Sequence, residues 1–432
     1  MKYLIYLWLI SILTDTVVAQ SSKYSTSDIA TFFNQTKEAT EKHSTLWDKD
    51  IYGPILLVDP DTREIFANFP DADNELTLKS GVYVGILPRD IPVSNTYITW
   101  NGTNWAMLTL PLSDNRYDRI DLASHELFHS AQPSLGFKNI RDDNNHLDQK
   151  DGRIYLRLEL VALEAALRAS RLNRSEEHIR NALIFRKYRQ MIYRGSQVSE
   201  NNLEMLEGLA TYTGQVMSGR DKLEWREYLI YRINTFHETP SFVRSFAYET
   251  IPVYGFFMQQ TDYFWNKNIN SETDLTDLLF TAFGVDSRIL LQTYVRQVAE
   301  DYDWQKIVDE ETKRYSSNNS LLDKYRNKFL EQPHLEIRLE NMNMTFDPKN
   351  LIPLDEDEGT VYPSIMINDS WGVLTVEEGG ALLRSDWRWI IVSEPLDVIE
   401  SLVIGDGWKI ELNEGYQIEE TTEGNYLLTE IE

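Results

Sequence analysis

Two histidines four residues apart, with a glutamate after the first, constrain this chain more than any other feature, because they imply both a helix and a face. The stretch Asp121-Leu-Ala-Ser-His125-Glu126-Leu-Phe-His129 has the pattern HExxH. On a helix, positions i and i+4 lie one above the other, so both imidazoles can reach one metal ion. Glu126 points about 100° around the helix and can hold a metal-bound water. Indexed from His125, the residues Asp118, Asp121, His129 and Gln132 share the histidine side, and Ile120, Ala123, Leu127 and Ala131 form an apolar stripe opposite. Pro133 predicts a stop soon after His129. Zn²⁺ suits such donors, since it takes imidazole nitrogen and carboxylate oxygen and leaves one position open in catalytic sites. The competing reading is a buried helix with two hydrogen-bonded histidines.

A third ligand separates these readings. Gln132 stands where a metzincin has glycine, and Leu135 where it has its last histidine, so that pattern is excluded. A glutamate from a second helix is the other solution, and Leu203-Glu204-Met-Leu-Glu207-Gly208-Leu-Ala-Thr-Tyr212 offers one. Leu203, Leu206, Leu209 and Ala210 have core spacing, and Glu207 interrupts them. An acid on an apolar face is costly unless paired or metal-bound. Gly208 removes a side chain where two helices can approach closely. Glu204, one turn earlier, is a supporting group or an alternative ligand, and Asp148 is a further rival within a polar stretch read as a loop (Asp142, Asp143, Asn144, Asn145, His146).

HELFH followed by EGLATY resembles the gluzincins, the zinc peptidases that include thermolysin and the aminopeptidase N family. The resemblance rests on the two motifs and spans about residues 80 to 260. It implies that His125, His129 and Glu207 bind zinc and that Glu126 is the general base. It also implies a tyrosine that donates to the oxyanion, in the segment Ser245-Phe-Ala-Tyr248-Glu-Thr-Ile-Pro252-Val-Tyr254-Gly255. Tyr254 is the first candidate and Tyr248 the second, and a packed core tyrosine is the other reading of either. Two departures stand out. The 77 residues between His129 and Glu207 (positions 130 to 206) far exceed the family spacing, so an insertion lies there. No Gly-x-Met-Glu-Asn segment occurs between Trp105 and Leu112, which leaves endopeptidase activity open.

The remaining chain divides by pattern. Met1 to Ala19 reads as a cleavable export signal, with Lys2, an apolar run from Tyr3 to Leu13 and Val17-Val18-Ala19 before Gln20. That run is too short to span a bilayer, and no stable membrane insertion is expected; the setting implied is periplasmic or secreted. Residues 20–112 read as a sheet region: an exposed helix over 24–48, then strands at Ile55–Val58, Glu64–Ala67, Val82–Leu87, Thr96–Thr99 and Trp105–Leu110, with Asn101-Gly102 as a hairpin turn. The last strand leads into the His125–His129 helix. The resemblance makes it an edge strand that pairs with substrate; an ordinary core strand is the alternative. Residues 113–332 read as helical. Within them the insertion has one helix at Ile154–Ala169 and another capped by Ser175, with a solvated charged face. Helices are also expected at Asp221–Phe236 and Asp274–Arg314. Residues 333–432 alternate apolar and polar, as in Trp408-Lys-Ile-Glu-Leu412, and predict an all-β sandwich or barrel.

The fold class expected is α+β: a gluzincin-like core of mixed sheet and helices, with a C-terminal all-β domain. Without cysteine, thiol catalysis and thiolate metal sites are excluded. With 68 acids against 42 bases, a basic nucleic-acid-binding face is not expected. The function expected is zinc-dependent hydrolysis of peptide or protein substrates, and the alternative is a non-catalytic module that binds protein or glycan. Nothing in the sequence sets an oligomeric state.

Overall fold

The structure is a computed structural model that describes residues 23–140, 142–285, 292–348, 350–355, 357–422 and 424–431. The export signal read over residues 1–19 lies outside the described residues. Helix α1 (Thr26–Lys42) starts at Ser25, whose hydroxyl accepts from the Asp28 amide. It buries Ile29, Phe32 and Phe33, a stripe at helical spacing. This helix therefore packs on the core and is not the exposed segment read from its polar composition.

Six strands follow: β1 (Ile55–Val58), β2 (Glu64–Ala67), β3 (Thr77–Lys79), β4 (Val82–Ile86), β5 (Thr96–Trp100) and β6 (Thr103–Thr109). Their order in the sheet is β3-β4-β2-β1-β6-β5, with β1 and β6 parallel and the other pairs antiparallel. The short β3 has no apolar alternation and all three of its residues are exposed. Alternate residues of β1 and β6 enter two cores: Ile55, Leu57, Ala106 and Leu108 face the helices, and Leu56, Val58, Trp105 and Met107 face the other side. Burial on both faces marks interior strands. The strand that leads into the His125–His129 helix is thus interior, and the edge belongs to β5.

The helical region contains α2 (Arg116–Ala131), α3 (Lys150–Arg168), α4 (Leu172–Ile192), α5 (Ser196–Leu203), a π-helical turn at Glu204–Gly208, α6 (Leu209–Met217), α7 (Lys222–Phe236), α8 (Ala247–Thr261), α9 (Leu275–Phe283), α10 (Gln292–Ala299) and α11 (Trp304–Arg326). Asp221 caps α7 with its side chain on the Leu223 and Glu224 amides. Ser175 lies inside α4 and does not cap it; its hydroxyl donates to the Ala166 carbonyl at 2.9 Å. The span read as one helix after Asp274 is broken, with Gly284 (φ +64°) closing α9 and Asp303 (φ +56°) preceding α11.

Part of the insertion's charge faces solvent, as expected, at Arg168, Arg171, Arg174 and Glu177, but part of it is inside. Arg186 and Arg189 of α4 are fully buried. Arg186 binds Glu204 through two nitrogens (2.7 and 2.9 Å) and Glu159 of α3 (2.8 Å); Arg189 binds Glu159 and Glu200 (2.8 Å each). Glu204 is therefore committed to Arg186. Asp148, in a buried 3₁₀ turn at Asn145–Asp148, is committed to Arg153 (2.8 Å) and the Phe242 amide (2.9 Å). Neither rival belongs to the ligand group formed with the histidines, and of the segment read as a polar loop Asn144, Asn145 and His146 are buried.

The C-terminal strands are β7 (His334–Arg338), β8 (Asn343–Phe346), β9 (Ile352–Asp355), β10 (Gly359–Tyr362), β11 (Ile365–Asp369), β12 (Gly372–Val376), β13 (Ala381–Leu383), β14 (Trp389–Ser393), β15 (Pro395–Ile399), β16 (Leu402–Gly405), β17 (Trp408–Leu412), β18 (Tyr416–Glu420) and β19 (Tyr426–Glu430). Among the described residues they form two sheets, β18-β19-β7-β14-β13-β10-β9 and β15-β16-β17-β12-β11-β8. Leu335, Ile337 and Val392 of the first share one core with Ile367, Leu374 and Ile410 of the second, so the two sheets face each other as a sandwich. The fold is α+β with a C-terminal all-β region. No helix among the described residues is long and apolar enough to cross a membrane.

Candidate metal centre

Helix α2 begins at Asn115, whose side chain accepts from the Tyr117 amide at 2.9 Å. Its apolar stripe of Ile120, Ala123 and Leu127 is fully buried against the sheet and neighbouring helices. The opposite face turns toward α6 and the π-helical turn. Gly214 allows α6 to approach: a Cβ there would lie 2.5 Å from the Asp121 carbonyl oxygen. Gly208 does the same against α8, where a Cβ would meet Ile251 at 2.7 Å. The glycine after Glu207 thus marks a close helix approach, and the turn's wider winding sets Glu207 opposite the histidines.

His125 Nε2, His129 Nε2 and Glu207 Oε2 converge. The separations are 3.0 Å between the two nitrogens, 3.2 Å from His129 to Glu207 and 3.5 Å from His125 to Glu207. These three residues form a group able to hold a metal ion. The second nitrogen of each ring is oriented by the protein. Gln132 donates its amide to the carbonyls of Met205 (3.1 Å) and Leu206 (2.9 Å), so its oxygen accepts from His129 Nδ1 at 2.8 Å. Thr211 donates to the Glu207 carbonyl (2.8 Å) and turns a lone pair to His125 Nδ1 at 3.4 Å. In a neutral ring with its proton on Nδ1, Nε2 is left as an acceptor that a metal ion can use.

Three lone pairs at such separations repel unless a positive charge lies among them. Against the burial of its ring, the Glu207 carboxylate lifts His129 to about 9, and the histidines hold Glu207 well below the usual carboxylate range despite its own burial. A tetrahedral ion with bonds of about 2.0–2.1 Å sets its ligand atoms about 3.3 Å apart, which the triangle matches.

Glu126 is buried beside this triangle, and its Oε2 has no hydrogen-bond partner among the described residues. Burial pushes its carboxyl up, helped by Glu207 and opposed by the histidines. Tyr248 stacks on His125 (ring centres 5.8 Å apart) and donates to Glu207 Oε2 at 2.7 Å. Tyr254, the first candidate for a donor at this site, is elsewhere: fully buried, it donates to Glu159 Oε1 at 2.9 Å within the ionic core. The two tyrosines lie on different faces of α8, and only Tyr248 meets the cleft.

That cleft, about 360 Å³, is lined by His129, Glu207 and Tyr248, by Thr96 and Tyr97 of the edge strand β5, and by Met344 and Phe346 of β8 in the sandwich. Sequence reasoning brought together His125, Glu126, His129 and Glu207. Gln132 was placed on the histidine side and read as a mismatch to another family, but not as a partner of His129, and the part played by β8 carried no local signal. The chain matches no family model, no curated protein and no solved structure.

Proposed function

We propose that this chain is a zinc-dependent peptidase of the gluzincin type, with zinc held by His125, His129 and Glu207. The observation that carries the reading is the convergence of His125 Nε2, His129 Nε2 and Glu207 Oε2 at the edge of a cleft, beside the buried Glu126 carboxylate whose Oε2 has no partner among the described residues. When bound, zinc supplies Lewis-acid polarisation of the scissile carbonyl and of the attacking water. Glu126 accepts the proton from that water and hands it to the leaving amine; its raised affinity for a proton suits both halves of the transfer. Tyr248 takes the donor role first assigned to Tyr254, since its hydroxyl is the one placed at the cleft. The free edge of β5 supplies backbone donors and acceptors for an extended peptide. An export signal over residues 1–19 would place the enzyme in the periplasm or outside the cell.

Elemental analysis of the purified chain beside Glu126→Gln and Glu207→Ala tests this. The expected result is one zinc per chain in the first two, little in Glu207→Ala, and a loss of most peptide turnover in Glu126→Gln. A chain that takes up no zinc, or a Glu126→Gln variant with undiminished turnover, overturns it.

A further inference from the structure

The cleft holds a buried cation that the proposed hydrolysis does not use. Arg244 lines the cleft and is 8% exposed. Its Nη1 donates to the Asp142 carbonyl at 3.2 Å, and its guanidinium lies 5.0 Å from the centre of the Trp387 ring. No carboxylate among the described residues comes within ion-pair distance of it. Asp143, whose charge it feels, accepts a hydrogen bond from Trp387. A buried guanidinium carries five donors and a charge, and one carbonyl plus one ring leave most of that capacity unused. Most other buried arginines of this chain, such as Arg153, Arg186 and Arg189, have carboxylate partners at 2.7–2.9 Å. Arg244 stands four residues before Tyr248, whose hydroxyl touches Glu207. The unpaired charge therefore opens onto the same cavity as the metal triangle.

We propose that Arg244 is a specificity residue that binds a carboxylate of the substrate, carried by an acidic side chain or by the chain's own C terminus. The proposal rests on the peptidase reading for its substrate class, and on Arg244 alone for its charge preference. A chain of net charge −26 repels acidic peptides in general, so a fixed cation inside the cleft is what selects one. The guanidinium's planar fork matches a carboxylate through two parallel hydrogen bonds.

The test measures binding to Glu126→Gln, which removes turnover. The probes are alanine hexapeptides with blocked N termini: one neutral with an amidated C terminus, one with a free C terminus, and a set with a single Glu scanned along an amidated chain. With Arg244 present, a carboxylate peptide is expected to bind about ten- to hundredfold tighter than the neutral one. The Glu scan and the free C terminus show which source is read. Arg244→Gln abolishes the preference without changing the Kd of the neutral peptide, and Arg244→Lys keeps part of it. Equal binding of all peptides, or an equal loss for neutral and acidic ones in Arg244→Gln, overturns the proposal. Zinc content of the same samples keeps the two readings apart: a metal-free chain defeats the peptidase assignment, while the charge preference is still read from binding.

Discussion

Tyr248 and Tyr254 are six residues apart on one helix, which turns them about 120° from each other. Only one can face a given neighbour, and the sequence does not say how α8 is rotated about its axis. That rotation is set by Gly208 packing against Ile251, a contact between distant segments. Tyr248→Phe is expected to keep zinc and lower turnover about a hundredfold, as for loss of one oxyanion donor. Tyr254→Phe should leave turnover unchanged and cost about 1–2 kcal/mol in denaturant unfolding, since buried Glu159 loses a donor. The opposite pattern returns the donor role to Tyr254. His125, Glu126 and His129 were legible because their geometry is fixed within one helix. Gln132 was legible as a residue on that face but not in its role, because its partners, the carbonyls of Met205 and Leu206, lie more than seventy positions along the chain.

At the scale of elements, positions of helices and strands were legible from periodicity and caps, but the insertion's charged face was assigned to solvent. Arginine and glutamate on a helix are seldom fully buried, so composition favours exposure. Here Glu159, Glu200 and Glu204 share the two guanidiniums of Arg186 and Arg189 across α3, α4, α5 and the π-helical turn; His146 lies 2.8 Å from Glu200, and Thr250 of α8 adds a hydrogen bond to Glu204 at 2.6 Å. This network grips the turn one winding before Glu207. Removing one partner leaves charges buried and unpaired, at about 3–5 kcal/mol. Arg186→Met should show that loss in chemical denaturation and a weaker hold on zinc. A variant as stable as the parent would mean that the network is solvated and that the turn is held by packing alone.

Across the whole molecule, the sandwich was legible from alternation, as in β17, where Trp408 and Ile410 are buried and Lys409 and Glu411 exposed. Its docking beside the cleft was not, since it depends on contacts such as Thr360 with Asn145 (2.9 Å) and Trp387 with Asp143. Asp143 titrates within that junction. Burial raises its pKa to about 6 from 3.8, opposed by Arg244 and by the Trp387 hydrogen bond. A carboxyl raised on folding gives stability that is fully present below pH 3.8 and is lost as pH rises through about 6. The shift corresponds to about 3 kcal/mol. Asp143→Asn, whose carbonyl still accepts from Trp387, should melt higher than the parent at pH 7.5 and alike at pH 4. Equal differences at both pH values would remove Asp143 from the linkage.

The donor triangle has a thermodynamic corollary. Its members come from two parts of the chain with positions 130–206 between them, so the triangle exists only when the fold brings those two parts together. An ion that binds the folded state alone stabilises it by about 1.4 kcal/mol for each tenfold excess of free zinc over Kd. The chain has no cysteine and hence no disulfide across this stretch. Its melting temperature should therefore climb with the logarithm of free zinc and fall on chelation, while Glu207→Ala stays flat over the same range. A parent that melts at one temperature across several decades of zinc would separate the centre from folding. Metal supply would otherwise act on how long the protein survives, as well as on how fast it works.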